Sequence, residues 1–562
     1  MLDIIIRNGT IVDGTGSPAF MGDIGIRGDR IVEVGRIAES AVREIDATDR
    51  IVTPGFVDTH THLDAQLFWD PYGSPVCWHG STTALIGNCS VTYAPVRPNG
   101  KDHLSGVLES VEQISVESVN AALPFNWESF SEYLTAIDNT PKGINMAAFM
   151  GHAAARVYVM GDEAIDPERH PDDKEKKELQ ALLVDALEGG ALGVSTSRTY
   201  THMDPQGRPI PGTYAVEDEL RAFGEVLGKN GGIFQCAARL GEGDDANHTG
   251  TQEELAWLSD ISIDFDIPVV FSLFTGLDHG PHYHRMILGW ADEHRARGAN
   301  IRPMQNSRVG TNLFGAMNFL GVRSAAWAQF NQTPPSERMA LLENADFCAA
   351  LTNISEEAEA NFAARFWTFD ERNLDYRRRD EDLIANIAKA NNERPMQTVV
   401  RLMKETAGQQ IFVSGSNNGV YENIKDILSY EHTIPGLGDS GAHVKVMTDA
   451  NLTTYLMSHW VRDTGLLTLE NGVHRLTAGA TDFFGLKDRG RLVPGQFADV
   501  NVIDLDNLAS EMPEYVYDYP CNAGRWTQRA RGYDFTICNG RVMIEDDKHT
   551  GSVNGRLLRY QQ

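Results

Sequence analysis

Val52-Thr-Pro-Gly-Phe-Val-Asp58-Thr-His60-Thr-His62-Leu63-Asp64 is the stretch from which the rest of this chain can be read. An apolar run enters through Pro54-Gly55 and ends in two histidines spaced two apart. Along a β-strand successive side chains alternate between faces, so this spacing points both imidazoles to the same side. Two imidazoles at the carboxyl end of a parallel strand are placed to bind a divalent cation. The run therefore reads as the first strand of a parallel sheet whose carboxyl ends carry the chemistry.

Downstream, short apolar runs alternate with helical stretches, the pattern of βα units. Candidate strands end near His60, Gly87, Gly151, Ser195, Cys236, Ser272, Met304 and Asp439. Eight such strands predict an α/β chain built on a (β/α)8 TIM-like barrel. Spacing is regular up to Met304, after which a long interval precedes the last strand. An interval of that length predicts a helical insertion over the barrel mouth, near 305–433, and a second insertion is expected near 101–141. Phe362, Phe366, Trp367 and Phe369 either line a lid there or form helix core.

Upstream, Ile4-Ile5-Ile6, Thr10-Ile11-Val12, Asp23-Ile24-Gly25-Ile26 and Arg30-Ile31-Val32-Glu33-Val34 are split by Asn8-Gly9, Asp13-Gly14 and a Gly-Asp pair. Period-2 runs with such turn residues read as a small antiparallel sheet. Ala498-Asp-Val-Asn-Val-Ile-Asp504, Asp534-Phe-Thr-Ile-Cys-Asn-Gly540 and Arg541-Val-Met-Ile544 have the same texture. A small β-sandwich built from both termini is expected, dividing the chain into 1–54, 55–484 and 485–562.

The 562 residues carry 49 Lys+Arg against 78 Asp+Glu, a net charge of −29, which argues against nucleic acid and anionic membrane as partners. Hydrophobic residues at 42% and charged ones at 23% are ordinary for a globular chain with a large core. Cys77, Cys89, Cys236, Cys348, Cys521 and Cys538 are too scattered for a disulfide scaffold and fit a reducing, cytoplasmic setting. With no basic leader, no apolar h-region and no long apolar run, neither an export signal nor a membrane span is expected.

The first-strand segment resembles strand 1 of the amidohydrolase superfamily, and Val493-Pro-Gly-Gln-Phe-Ala-Asp499-Val-Asn-Val-Ile-Asp504 resembles its C-terminal return strand. More narrowly, His79-Gly-Ser-Thr-Thr-Ala-Leu-Ile-Gly-Asn-Cys89, Gly151-His152, Gly190-Ala-Leu-Gly-Val-Ser-Thr-Ser-Arg-Thr-Tyr200, Pro211-Gly-Thr-Tyr214 and Gly436-Leu-Gly-Asp439-Ser-Gly-Ala-His443 are similar to its D-aminoacylase (N-acyl-D-amino-acid deacylase) branch. The resemblance spans essentially the whole chain. It implies a metal-loaded barrel that hydrolyses amide bonds, in which the metal activates a water and polarises the scissile carbonyl. It also implies a carboxylate after the eighth strand, here Asp439, as general base and acid, and a thiolate ligand, here Cys89. Tyr200 falls where a substrate hydrogen-bond donor is implied, and His152 either orients a carbonyl or satisfies a backbone group.

The departures shape the expected metal count. Gly231-Gly-Ile-Phe-Gln-Cys236-Ala237 puts Ala237 where the resemblance implies a strand-5 histidine, and Pro268-Val-Val-Phe-Ser272-Leu273 puts Leu273 at the strand-6 histidine. Strand 4 offers Arg198 and no lysine. One zinc ion held by His60, His62, Asp439 and Cys89 is therefore expected ahead of a binuclear centre. Gln235 and Cys236 adjoin the lost strand-5 ligand, and His279-Gly-Pro-His282-Tyr-His284 forms either a plain loop or a contact for substrate or metal, with His282 and His284 as substrate candidates. Arg198, Arg239 and Arg308 either clamp a substrate carboxylate or sit in structural salt bridges. The leading expectation is a metal-dependent amidohydrolase acting on the amide of an N-acyl (D-)amino acid, a small-molecule substrate. A hydrolase of a cyclic amide, carbamate or lactone, or a non-catalytic binding scaffold, are the alternatives. Family habit suggests a homo-oligomer.

Overall fold

The computed structural model describes residues 1–274, 280, 282–416 and 419–560. Among them, strands from both ends of the chain form one nine-stranded sheet. Leu2–Ile11, Phe20–Arg27, Arg30–Gly35, Ala41–Asp46 and Ile51–Pro54 come from the N-terminal end, and Val500–Ile503, Tyr533–Cys538, Arg541–Glu545 and Lys548–His549 from the C-terminal end. The join is antiparallel, with Val52 opposite Val502 and Ile51 opposite Ile503. Ile4, Ile6, Ile24, Ile26, Val52 and Val500 bury one apolar face of this sheet. The alternation in the sequence is thus spent on a common core.

One turn expected in this sheet is absent. Asn8-Gly9 does not reverse the chain but bulges a single strand, Leu2–Ile11, with the register shifting between Ile6 and Gly9 and Asn8 at φ 61°. Glycine is needed at the bulge for packing, since a Cβ on Gly9 would lie 2.4 Å from Val52 Cγ2. The chain reverses at the other two expected turns: across the stretch that holds Asp13-Gly14, between paired Ile11 and Phe20, and at Gly28-Asp29, between paired Arg27 and Arg30.

The middle of the chain holds parallel strands. One sheet runs, in spatial order, Ile434–Pro435, Ile301–Gln305, Val269–Ser272, Ile233–Ala237, Gly193–Ser197 and Met150–Gly151. A second contains Phe56–Asp58, Ser81–Ile86 and Asn145–Ala148. Only Phe149 separates Ala148 from Met150, so the sheets meet there. At their far edges Thr61 bridges Ser440 in parallel, and the His62 amide donates to the Ser440 carbonyl at 2.7 Å. Most of these strands are buried along their whole length, which explains why they read as continuous apolar runs.

The two expected insertions differ in texture. Between 101 and 141 lie the helices Lys101–Glu112, Val116–Ala122 and Phe130–Asn139. Between 305 and 433 there are helices, as expected, but also an antiparallel sheet of Thr311–Phe314, Ile411–Gly415 and Phe366–Phe369 that the reading of this segment as helical did not include. Phe366, Trp367 and Phe369 belong to that sheet, and Phe362 stacks on Phe366 at 4.0 Å. Trp327, Phe330, Met396, Val399 and Phe412 give the insertion a core of its own. No helix among the described residues is long and apolar enough to cross a membrane.

Candidate metal centre

His60 and His62 follow directly on the Phe56–Asp58 strand. The Thr61 amide and hydroxyl both bond the Leu85 carbonyl, at 2.9 and 2.8 Å, which keeps this segment extended past its last strand residue. The two rings consequently fall on one side, with centroids 5.4 Å apart. Cys89 reaches them from the next strand end. Gly87 turns the chain at φ +75°, where a Cβ would strike the Phe149 carbonyl at 2.0 Å, and the Asn88 side chain ties the turn to Leu85 and Thr61. Cys89 is itself left-handed, and its amide donates to Gln235 Oε1 at 3.1 Å, so Gln235 beside the ligandless Ala237 supports the thiol's backbone.

Asp439 arrives from the loop after Ile434–Pro435. That loop comes close to the first strand because Gly441, at φ +97°, has no Cβ; one would sit 2.2 Å from the His62 carbonyl. Asp439 Oδ1 lies 3.3 Å from His60 Nε2 and 3.9 Å from His62 Nε2, and Cys89 Sγ lies 3.2 Å from His60 Nε2. Donor atoms of His60, His62 and Cys89 all fall within 4.8 Å of one another. A tetrahedral zinc with N and S ligands spaces its donors about 3.3–3.8 Å apart, so the cluster matches a single cation of that size. Asp439 Oδ1 is buried with no hydrogen-bond partner, an orphan whose desolvation is uncompensated unless a cation sits beside it.

The sequence reading did not anticipate Glu112. It is buried, with Oε1 3.2 Å from His62 Nδ1. Only the path of the inserted helix Lys101–Glu112 brings it there, and no local motif marks it. His202 was also not anticipated: Ser197 Oγ lies 2.8 Å from its Nδ1, and its ring centroid is 6.3 Å from that of His443. His62, Cys89, His202, Asp439, His443 and Asn306 are among the residues lining a cavity of about 710 Å³.

The charge states of these side chains follow from burial and neighbours. Burial, with the nearby His62 and His202, drives His60 well below the ordinary imidazole value. Burial opposes the His62 imidazolium, yet Glu112 and Cys89 outweigh it and hold its pKa well above 6.5. Burial raises the Cys89 thiol and pushes the Asp439 carboxyl up to about 6. Burial, with His443 and His62 nearby, lowers His202 to about 3; burial and His62 lower His443 to about 4, leaving both neutral.

The other predicted contacts lie elsewhere. His152 is fully buried, with Thr196 Oγ1 at 3.0 Å and Glu219 Oε1 at 2.8 Å, so it satisfies core groups. Arg198 is taken up by Glu254 and by the Thr213 and Ala215 carbonyls, and Arg308 by Asp449, Asn451 and Thr448. Tyr200 OH accepts from Arg239 Nη1 at 2.6 Å. His284 Nε2 meets Asp426 at 2.9 Å, and His282 is exposed where the chain enters the helix Tyr283–Ala296. None of these side chains lines the cavity among the described residues, and His279 lies outside them. Among the described residues one cationic side chain does line it: Arg365, at the end of the helix Glu356–Arg365.

The model of the Amidohydrolase family matches residues 43–544. The chain belongs to the amidohydrolase family. It is accordingly a hydrolase that acts on carbon–nitrogen bonds other than peptide bonds. The D-aminoacylase of Alcaligenes xylosoxydans xylosoxydans is 25% identical over 559 residues, covering 99% of this chain and 97% of that one. The N-acyl-D-aspartate deacylase of the same organism is 27% identical over 562 residues, covering 99% and 95%. A solved D-aminoacylase, described for the functional role of its binuclear metal centre, superimposes with a TM-score of 0.68 at 25% identity, covering 100% of both chains.

Proposed function

We propose that this amidohydrolase cleaves the amide bond of an N-acyl D-amino acid at a centre of one zinc ion held by His60, His62, Cys89 and Asp439. The observation that carries the reading is Asp439 Oδ1, buried, without a hydrogen-bond partner and 3.3 Å from His60 Nε2. A divalent cation held there supplies Lewis acidity, polarising a carbonyl and acidifying a water. His60 presents a neutral imidazole and Cys89 a thiol that ionises on ligation. Asp439 takes the water's proton on its carboxylate and hands it to the leaving amine, work suited to a carboxyl with a raised pKa. The carboxylate of the amino-acid part is bound by Arg365, the cavity-lining guanidinium contributed by the larger insertion. Alanine and leucine at 237 and 273 cannot ligate, which supports one ion over two.

The same reading takes the eight parallel strands as a closed (β/α)8 barrel spanning 55–484, the edges joined at Thr61 and Ser440, and the two-ended sheet as part of a β-sandwich of 1–54 with 485–562. The six unpaired cysteines support a cytoplasmic location. A homo-oligomer is the proposed assembly. A hydrolysis panel on the zinc-loaded chain tests the activity: N-acetyl D- and L-amino acids, lactams and lactones. Turnover confined to N-acyl D-amino acids supports the reading. Turnover confined to lactams or lactones moves the activity to cyclic substrates, and none at all leaves a binding scaffold.

A further inference from the structure

We infer that Glu112 is a positioning residue for the metal centre: it holds Nδ1–H of His62, presenting Nε2 to the cation, and so makes the 101–141 insertion part of the ligand framework. The inference rests on the proposed ligation by His60, His62, Cys89 and Asp439.

An imidazole has two ring nitrogens, and a partner on one fixes which is free to ligate. Asp439 faces Nε2 of His62 at 3.9 Å, while Glu112 Oε1 faces Nδ1 at 3.2 Å from the other side. Both Glu112 oxygens and His62 Nδ1 are buried without a hydrogen-bond partner, so the 3.2 Å approach of Oε1 to Nδ1 is an ion-pair contact and the nearest polar partner either side chain has there. The neighbouring buried carboxylates are engaged with backbone instead: Asp58 Oδ1 accepts from the His60 amide at 3.3 Å, and Asp64 Oδ2 from the Gly87 amide at 3.1 Å. Glu112 therefore supports a ring of the cluster from outside in a way these two do not.

Its place in the helix strengthens the case. Glu112 is the last residue of Lys101–Glu112, where the helix dipole disfavours a negative charge, and it is buried as well. Local helix stability does not explain a buried carboxylate there; a cationic or N–H partner does. The helix end is also anchored. Gln113 caps it in the left-handed conformation, its amide bonding the Glu109 carbonyl at 2.8 Å. The Val444 amide meets the Glu112 carbonyl at 3.4 Å, and the Lys445 amide meets Gln113 Oε1 at 3.3 Å. Those two amides belong to the loop that follows Asp439. The insertion thus grips the loop carrying one ligand and the ring of another.

The test uses the full chain with Glu112→Ala and Glu112→Gln. Zinc affinity, measured by competition with a chromophoric chelator, should fall about 10- to 100-fold in E112A, the usual cost of losing a carboxylate behind a histidine ligand, and less in E112Q, whose amide oxygen still accepts from Nδ1. In 15N-histidine spectra of the metal-free chain, the Nδ1-bound proton of His62 should be present in wild type, retained in E112Q and lost in E112A. Wild-type zinc affinity together with an unchanged His62 spectrum in E112A overturns the inference. Should E112A fail to fold, E112Q and the wild-type spectrum still decide, because a His62 without an Nδ1 proton contradicts the proposed role. Failure of the zinc reading itself shows differently, as wild-type chain that binds no zinc while its His62 Nδ1 proton is present.

Discussion

Zinc should bind this chain with a steep pH dependence, and the slope can be worked from the cluster. In the metal-free chain burial holds the Cys89 thiol above its usual value, and Glu112 holds the His62 imidazolium well above 6.5 against its burial, so both carry protons near neutrality. His60 is already neutral, and Asp439, at about 6, is largely ionised at pH 7. Ligation requires thiolate and a free imidazole nitrogen, so binding releases about two protons. Each released proton contributes tenfold per pH unit, hence affinity should rise about 100-fold per unit around neutral pH, roughly 2.7 kcal/mol. Chelator competition at half-unit steps, with calorimetry in buffers of different ionisation enthalpy, measures both slope and proton count. Cys89→Ala should reduce the slope to about tenfold per unit and weaken binding throughout. A pH-independent affinity, or an unchanged slope in C89A, refutes the protonation scheme and the thiolate ligand with it.

Asp439→Asn should lower kcat by about 10²- to 10⁴-fold, the range for loss of a general base, with the fold intact by circular dichroism; near-normal turnover removes Asp439 from the chemistry. Arg365→Gln should lower the ratio of kcat/KM for N-acetyl-D-leucine over N-acetyl-D-leucinamide about 30-fold, and an unchanged ratio removes the carboxylate contact. His79 is buried between Thr454 Oγ1 at 2.8 Å and the Gln528 carbonyl at 3.1 Å, and burial lowers it to about 4. A lowered histidine contributes stability that is present above the unfolded value near 6.5 and lost as pH falls toward 4. That loss is about 3 kcal/mol for this residue, so His79→Gln should flatten the acid limb of a denaturant-stability profile by that amount; an unchanged limb contradicts it.

Sequence legibility tracked how local each signal was. His60 and His62 were readable because period 2 is a property of the strand itself, and Asp439 and Cys89 stood out within glycine-flanked motifs at strand ends. The expected strand ends fell within a few residues of Asp58, Ile86, Gly151, Ser197, Ala237, Ser272, Gln305 and Pro435. Glu112 could not be read, because its meeting with His62 depends on where a twelve-residue inserted helix docks. His202 is similar: its place is set by the bond to Ser197 and by His443 across the cavity. The arginines stayed open between two roles for the opposite reason. A guanidinium near a strand end suits a carboxylate equally whether that carboxylate is substrate or Glu254, and only the packed structure shows Arg198 already engaged. Asn8-Gly9 has the composition of a hairpin turn, yet the contact with Val52 requires a bulge there.

The central claim is one cation held by four side chains from three strand ends, and metal counting tests it most directly. Chain purified in chelator-treated buffer, reloaded with zinc and desalted, should carry one zinc by elemental analysis, reach full hydrolytic activity at that ratio, and lose the ion in His60→Ala. Two tightly held ions at full activity, or one ion retained in H60A, contradicts the account.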